Sequence, residues 1–249
     1  MGLYDDLILD LPDGILSNIL VGIHWTAVVV EVEGNRFCGL ASTQYGVHIH
    51  GGEPSVPNAG RLTQLQVRDL VKMILSDKPT LVSIGMATIN ALLLSGQPKN
   101  LETKDAESAI IERGAEKRVA LVGHFPFITR LKTLVGHLDV LELEPQPGEL
   151  AADAAPQVLP KADVVAITSM ALVNHTLENL LNLCPPEAFV IILGPSTPLS
   201  RVMFNYGADL LAGSVVYGID PVLQTIAQGG DFPQIRRAGV RLVSMQSAD

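Results

Sequence analysis

Cysteine is nearly absent, with only Cys38 and Cys184 in 249 residues. The opening stretch MGLYDDLILDLPDG places two aspartates where a secretion signal needs a basic flank and an unbroken apolar core. The expectation is therefore a cytoplasmic protein with free thiols, although a bridge between the two cysteines is left open. No apolar run reaches the roughly 18 residues that span a bilayer, so no membrane partner is expected. Basic runs are missing too, and the net charge is −9, which leaves no electrostatic footprint for nucleic acid. The chain has no G-x-G-x-x-G, no P-loop, no nucleophile elbow and no HExxH, so no reaction follows from a motif. What it does have is 47% hydrophobic and 17% charged residues. That composition excludes disorder, collagen-like repeats and a coiled coil, and predicts a packed globule.

The length predicts two domains, at about 100–200 residues each. In the second half, β-branched apolar runs alternate with turns and helical patterns, which predicts a doubly wound parallel sheet of Rossmann type. Strands are expected at Arg118–Gly123, Val140–Glu144, Asp163–Thr168, Phe189–Gly194, Asp209–Gly213 and Val240–Met245. Helices are expected near Phe127–Leu134, Asn174–Leu183, Leu199–Asn205 and Pro221–Gln228. In the first half the strands come together: Ile19–Glu33 and Arg36–Ser42 read as an antiparallel hairpin turning at Glu33-Gly34-Asn35. His24, beside Trp25 in that first run, reads as a core or pocket residue. A one-faced helix over Leu62–Leu75, with Thr63 or a neighbour capping it, and a helix apolar all round over Thr80–Leu94 follow. Gly85 and Ala87 of the latter allow a close backbone neighbour. The boundary falls near residue 97, giving an α+β domain at 1–97 and an α/β domain at 98–249, with a helical pattern at Lys104–Arg113 leading in.

Ligands of open parallel sheets gather beyond the carboxyl ends of the strands. Those ends carry Gly123-His124-Phe125-Pro126-Phe127, Thr168-Ser169 through Asn174-His175-Thr176, Gly194-Pro195-Ser196-Thr197-Pro198 and Gly213-Ser214. Asn174 or Thr176 can cap the following helix, with Glu178 near the capping-box position, and Ser196 or Thr197 can cap the next one. Glu142 and Glu144 stand 19 and 21 residues past Gly123, where a dinucleotide sheet carries its ribose-binding acid. As i and i+2 residues of one strand they would share a face. For metals, the local candidate is His48-x-His50, whose imidazoles share a face if extended. His124 and His175, at strand ends, are alternative nitrogen donors or proton carriers.

In order along the chain, VGIHWTAVVV (21–30), GLAS (39–42), SIGMATINALL (83–93), LVGHFPF (121–127), TSMALVNHTLENLL (168–181), GPSTPL (194–199) and LAGSVV (211–216) resemble one family. It is the heavy-metal-chelation domain family, which joins an enolase N-terminal-like domain to a Rossmann-like domain. The likeness spans nearly the whole chain. It implies a pocket at the junction of the two domains and a role around metals or metal-binding small molecules. Its implied pocket residues are Thr26, Asn90, Gly123, Phe125, Glu144, Thr168, Asn174, Thr176, Gly194, Pro195, Ser196 and Gly213; the His48/His50 pair lies outside that pattern.

The leading reading is a protein that binds a small oxygen-rich ligand, a transition metal or a metal complex. Glu144, Asn174, Thr168, Thr176 and Ser196 would supply oxygen donors or hydrogen bonds, and His124 or His175 nitrogen. The alternatives are an enzyme using S-adenosylmethionine or a dinucleotide in the Rossmann-like half, and a noncatalytic interaction module. A homo-oligomer is left open.

Overall fold

Two left-handed residues, Glu33 (φ 51°) and Gly34 (φ 76°), make the two-residue turn expected between strands whose twist demands positive φ at both central positions. In the computed structural model, which describes residues 2–46, 52–98, 100–103 and 105–247, that turn joins β2 (Trp25–Val32) to β3 (Asn35–Ser42). The expected single run Ile19–Glu33 is instead two strands, because β1 (Ile15–Val21) precedes β2 and pairs with it antiparallel. Gly22 N–H donates to the Trp25 carbonyl (2.9 Å), closing a second hairpin turn. The mostly apolar run from Ile19 to Val30 hid this turn from period counting. It also moves His24 out of the core, onto the exposed turn.

The sheet order β1-β2-β3 puts β2 in the centre, and six of its eight residues are buried. After helix α1 (Leu3–Leu9) and the sheet, the expected helix Leu62–Leu75 is broken: a 3-10 turn at Leu62–Gln64, helix α2 (Val67–Val71) and a second 3-10 turn at Lys72–Leu75. Leu65 and Gln66 are extended, which interrupts the ladder, and no side chain caps either the first turn or α2. The apolar stripe survives the break, since Leu62, Val67, Leu70, Val71 and Ile74 are buried. Helix α3 (Pro79–Ser95) is buried at nearly every position from Thr80 to Leu92, as its all-round apolarity predicts. Close approach is what the glycines allow: a Cβ on Gly85 would strike the backbone of Ile74, and one on Gly39 of β3 would strike α3 at Ala87 and Ala91.

The second half follows the expected alternation, with several helices shorter than expected and with β6 and α11 added. Its elements are α4 (Ala106–Gly114), β4 (Arg118–Val122), α5 (Ile128–Leu131), β5 (His137–Glu142), β6 (Leu150–Ala151), α6 (Ala155–Val158), β7 (Val164–Thr168), α7 (Met170–Val173), α8 (Leu177–Leu181), β8 (Phe189–Leu193), α9 (Val202–Asn205), β9 (Leu210–Val216), α10 (Ile219–Ala227), α11 (Phe232–Gly239) and β10 (Val240–Gln246). Asp105 caps α4 through Ser108 N–H, and Asp231 forms a capping box with Gln234 at α11. The expected helix Asn174–Leu183 is shortened to α8, because His175 takes a left-handed conformation (φ 57°) and delays its start to Leu177, while α7 lies before the expected range. Strand β5 ends at Glu142, so Glu144 lies past it and the two acids do not share a strand face.

The seven-stranded sheet has the order β6-β5-β4-β7-β8-β9-β10, and the pairs β4–β5, β5–β6, β4–β7, β7–β8 and β8–β9 are parallel. Numbered by first appearance, this is the Rossmann order 3-2-1-4-5-6 with one strand added, and it reverses direction between β4 and β7. The fold is thus α/β, with a small antiparallel sheet followed by a mostly parallel one. By contacts the chain divides into two compact units. One comprises Met1–Lys99, Pro195–Ser200 and Gly213–Leu242; the other comprises Asn100–Gly194, Arg201–Ala212 and Val243–Asp249. The first unit's core gathers Trp25, Val29, Cys38 and Leu40 with Val222, Ile226 and Ile235. The second gathers Leu121, Leu131, Val140, Ala166 and Ile191 around the parallel strands.

Candidate functional site

Three strands of the parallel sheet, β4, β7 and β8, extend their ladders by one more bond before their loops depart. Gly123 N–H donates to the Leu141 carbonyl (2.9 Å), Ser169 N–H to that of Leu193 (2.8 Å) and Gly194 N–H to that of Ala212 (3.0 Å). The loops after β4 and β7 leave from the place where strand order reverses, which is where open α/β sheets hold ligands. There Gly123 has φ +109°, and a Cβ on it would fall 2.8 Å from Cβ and 3.0 Å from Cγ2 of Thr168. Only glycine satisfies both the dihedral and the space. Gly194 repeats the device with φ +132°: a Cβ there would collide with the hydroxyl of Ser169. Thr168 Oγ1 accepts from Met170 N–H (3.3 Å), which leaves its hydroxyl proton free to donate. Phe125 stacks on Phe127, with centroids 5.2 Å apart and planes 12° from parallel.

Beside this edge the structure forms a pair that sequence reading missed. His124 Nδ1 and Glu149 Oε1 are 2.9 Å apart, with the imidazole 45% exposed and the carboxylate side chain 5% exposed. Glu149 ends the turn Gln146-Pro147-Gly148-Glu149, in which its N–H donates to the Gln146 carbonyl (2.9 Å) and Gly148 has φ +89°. Proline second and a positive-φ glycine third is the pattern of a type II turn. The turn is closed again from the side chain, because Gln146 N–H donates to Glu149 Oε2 (2.9 Å). That backbone donor, with His124 assisting, holds the Glu149 carboxyl below its ordinary range against the opposing effect of desolvation. The available sequence signal was the Gln-Pro-Gly-Glu turn; what it could not reveal was that the turn delivers its acid to a histidine 25 residues earlier.

The remaining expected residues fall into distinct settings. Within the first unit, Ser196 is fully buried; its Oγ accepts from Ser42 N–H (2.8 Å). Asn90 donates both amide protons, to the carbonyls of Leu40 (2.8 Å) and Ser196 (3.0 Å). Thr26 and Thr43 share a hydroxyl bond of 2.9 Å, the Pro195 carbonyl accepts from the Ser214 hydroxyl (2.9 Å), and a Cβ on Gly213 would press on the Thr197 carbonyl at 2.8 Å. Ser196 and Thr197 are therefore not helix caps: α9 begins later, behind Arg201, with no side-chain cap. Thr197 Oγ1 and Trp25 Nε1 are buried without a hydrogen-bond partner among the described residues.

Asn174, His175, Thr176 and Glu144 are exposed. Thr176 occupies the cap position of α8 without capping it, since its hydroxyl turns back to the Ala171 carbonyl (3.4 Å). His48 and His50 lie outside the described residues. Among the described residues no three His, Cys, Asp or Glu side chains form a metal-binding group, so Glu144, His124 and His175 do not converge as one. Both cysteines are free. An open polar cleft of the first unit, lined by Thr225, Gln228, Gly230, Gln234 and Arg237, contains none of the expected residues. No helix among the described residues is long and apolar enough to cross a membrane.

Solved structures and a sequence relative share this arrangement. A crystal structure of a protein of unknown function from the DUF364 family of Desulfitobacterium hafniense superposes with a TM-score of 0.81 at 26% identity, covering 98% of this chain and 97% of that one. A second DUF364 protein of unknown function, from Pyrococcus horikoshii, gives 0.79 at 20% identity over 98% of both chains, a likeness of fold. An uncharacterized protein of Methanocaldococcus jannaschii is 24% identical over 209 residues, 81% of this chain and 78% of its own length. Residues 4–93 match the DUF4213 domain and residues 105–245 the DUF364 domain, both described as "Putative heavy-metal chelation". On the second match, which takes in more than half of the chain, the protein belongs to the DUF364 family.

Proposed function

We propose that the protein binds a small oxygen-rich or metal-complexed ligand at the carboxyl edge of its parallel sheet, as part of heavy-metal handling. One observation carries the reading: at the reversal between β4 and β7, Gly123 is held at φ +109° with its missing Cβ facing the Thr168 side chain. At a switch point the Thr168 hydroxyl, its proton free to donate, suits a ligand that presents oxygen acceptors. The family description supports the metal side of the proposal. The test is metal analysis of the purified protein, followed by calorimetric titration with iron, nickel, cobalt, zinc and molybdate, in the wild type, Thr168→Val and Glu144→Ala. Retained metal or a heat of binding that Thr168→Val weakens is expected. A protein that carries no metal and gives no heat with any of them removes the reading.

A second reading has its own observation. The Rossmann strand order, with Glu142 at the end of β5, is that of sheets that hold nucleotide-type cofactors. Against a dinucleotide stand the stacked Phe125 and Phe127 in the first loop, the missing glycines, and an α5 of only four residues, too short to offer a strong helix dipole. An S-adenosyl compound asks less of that loop. Thermal-shift screening decides, since a ligand at 100 times its Kd adds about 2.7 kcal/mol of stability; a flat response to nucleotides and S-adenosyl compounds retires this alternative.

A further inference from the structure

We propose that Glu149 is a positioning residue that fixes His124 with Nδ1 protonated, so that Nε2 is the single protein nitrogen donor to the metal of an already chelated ligand. The inference rests on the ligand reading above and narrows its substrate class. It starts from rigidity. The Glu149 carboxylate is held by Gln146 N–H at 2.9 Å, inside a turn preset by Pro147 and Gly148, and is almost shielded from solvent. An acceptor fixed in this way selects one imidazole tautomer: only Nδ1–H can donate to Oε1 across the 2.9 Å separation. Neutral imidazole in water favours the other tautomer, with the proton on Nε2, so the pair reverses the ordinary preference. Nε2 then carries a lone pair, on a ring that is 45% exposed and has no other partner among the described residues. A carboxylate bonded to the far nitrogen of a histidine is the arrangement that orients metal-binding imidazoles and makes them more basic.

The donor count sets the ligand class. A bare transition ion takes three or four protein donors, and no such group of His, Cys, Asp or Glu exists among the described residues. One oriented nitrogen suits a metal that arrives with most of its coordination positions filled by a small chelator and one position open. The Thr168 hydroxyl would then donate to the chelator's oxygens, and Nε2 would meet its metal.

The test reads the histidine directly. Proton–nitrogen correlation spectra of the untagged, metal-free protein, with His124 assigned from its loss in His124→Asn, report the tautomer. Wild type is expected to show Nδ1–H, and Glu149→Ala to revert to a mixture favouring Nε2–H. Glu149→Gln has one acceptor oxygen for two donors, Gln146 N–H and the imidazole, so its spectrum should fall between those of the wild type and Glu149→Ala. Zinc nitrilotriacetate, a diamagnetic complex with positions left open, is then titrated in while the His124 Nε2 resonance is followed. It should move in wild type, with affinity about 10–100-fold weaker in Glu149→Ala. An Nε2–H tautomer in the wild type, an Nε2 resonance that the complex leaves unmoved, or equal affinity in Glu149→Ala each overturns the proposal. Because the tautomer is read with no ligand present, a wrong tautomer defeats this inference alone. Loss of the ligand reading is seen instead as a null calorimetric panel with the tautomer intact.

Discussion

The Cβ that Gly123 lacks would sit 2.8 Å from the Cβ of Thr168, so the loop leaving β4 presses on the end of β7 at a point where a side chain is missing. A methyl group there has to displace Thr168 and also adopt φ +109°. Gly123→Ala should lose about 1–3 kcal/mol of stability, measured by urea unfolding. Thr168→Ser, which removes one of the clashing atoms but keeps the hydroxyl, should stay close to wild type. An alanine variant as stable as the parent would show that the loop relaxes freely and that the glycine has no steric role.

Asn90 tests a different kind of residue. Its amide satisfies the carbonyls of Leu40 and Ser196, two buried acceptors on segments far apart in sequence. Asn90→Ala leaves both unpaired and should cost about 2 kcal/mol or more, each orphaned buried group being worth roughly 1–3 kcal/mol. A loss below half a kilocalorie per mole in chemical denaturation would mean that water replaces the amide.

The converse holds at Thr197, whose buried hydroxyl has no hydrogen-bond partner among the described residues. Thr197→Val preserves the shape and deletes the stranded polar atom, so it should raise stability by up to about 1–2 kcal/mol. A clear fall in melting temperature would reveal a partner for that hydroxyl, such as a retained ligand or water.

The thiols predict a pH dependence. Burial pushes Cys38 up to about 12 and Cys184 up to about 11. Both folded-state values lie above the ordinary thiol range, so the stability tied to the protonated thiols is complete below about pH 9. It is lost as pH rises through the folded values, because the unfolded thiols ionise first. Alkylation by iodoacetamide at pH 8 should therefore proceed only as fast as the protein opens, faster at half-buried Cys184 than at Cys38. Cys38 reacting at the rate of a free thiol under native conditions would contradict its placement.

Core and surface leucines should separate widely. Leu121→Ala empties a fully buried position and should cost about 2–5 kcal/mol. Leu143→Ala, at a site 73% exposed, should stay within about 0.5 kcal/mol. Equal effects in thermal unfolding would be inconsistent with this sheet register.

Much of the architecture was legible because it is written in local periodicity. The runs at Arg118–Val122, Val164–Thr168 and Phe189–Leu193 are strands close to where their β-branched content predicts them, and α3 is buried on all sides as its composition requires. The Glu33-Gly34 turn was legible for the same reason, since its φ values are demanded by strand twist and supplied by its residues. Where periodicity failed, the cause was also local. The run from Ile19 to Val30 is mostly apolar and conceals a hairpin at Gly22, and His175, a single left-handed residue, delays the start of a helix expected from Asn174.

The candidate site was readable only as a set of loops. Gly123, Thr168 and Gly194 were identifiable because they end or follow strands, and the carboxyl ends of parallel strands are where backbone N–H groups and side chains face open space. Glu149 was not identifiable, since its significance comes from His124, 25 residues away, and nothing in a turn motif encodes what the turn will face. The same holds for Ser196, which resembles a helix cap in sequence but is a buried partner of Ser42, 154 residues distant.

By itself, then, the amino-acid order determined the secondary elements, the α/β class and the loops able to meet a ligand, because propensity, turn chemistry and hydrophobic period act over a few residues. Tertiary structure alone decided that β4 and β7 would be neighbours, that Gly123 would press on Thr168, and that a Pro-Gly turn would hold a carboxylate against His124. Those outcomes depend on which distant surfaces exclude water together, and that choice is made by the packing of the whole chain.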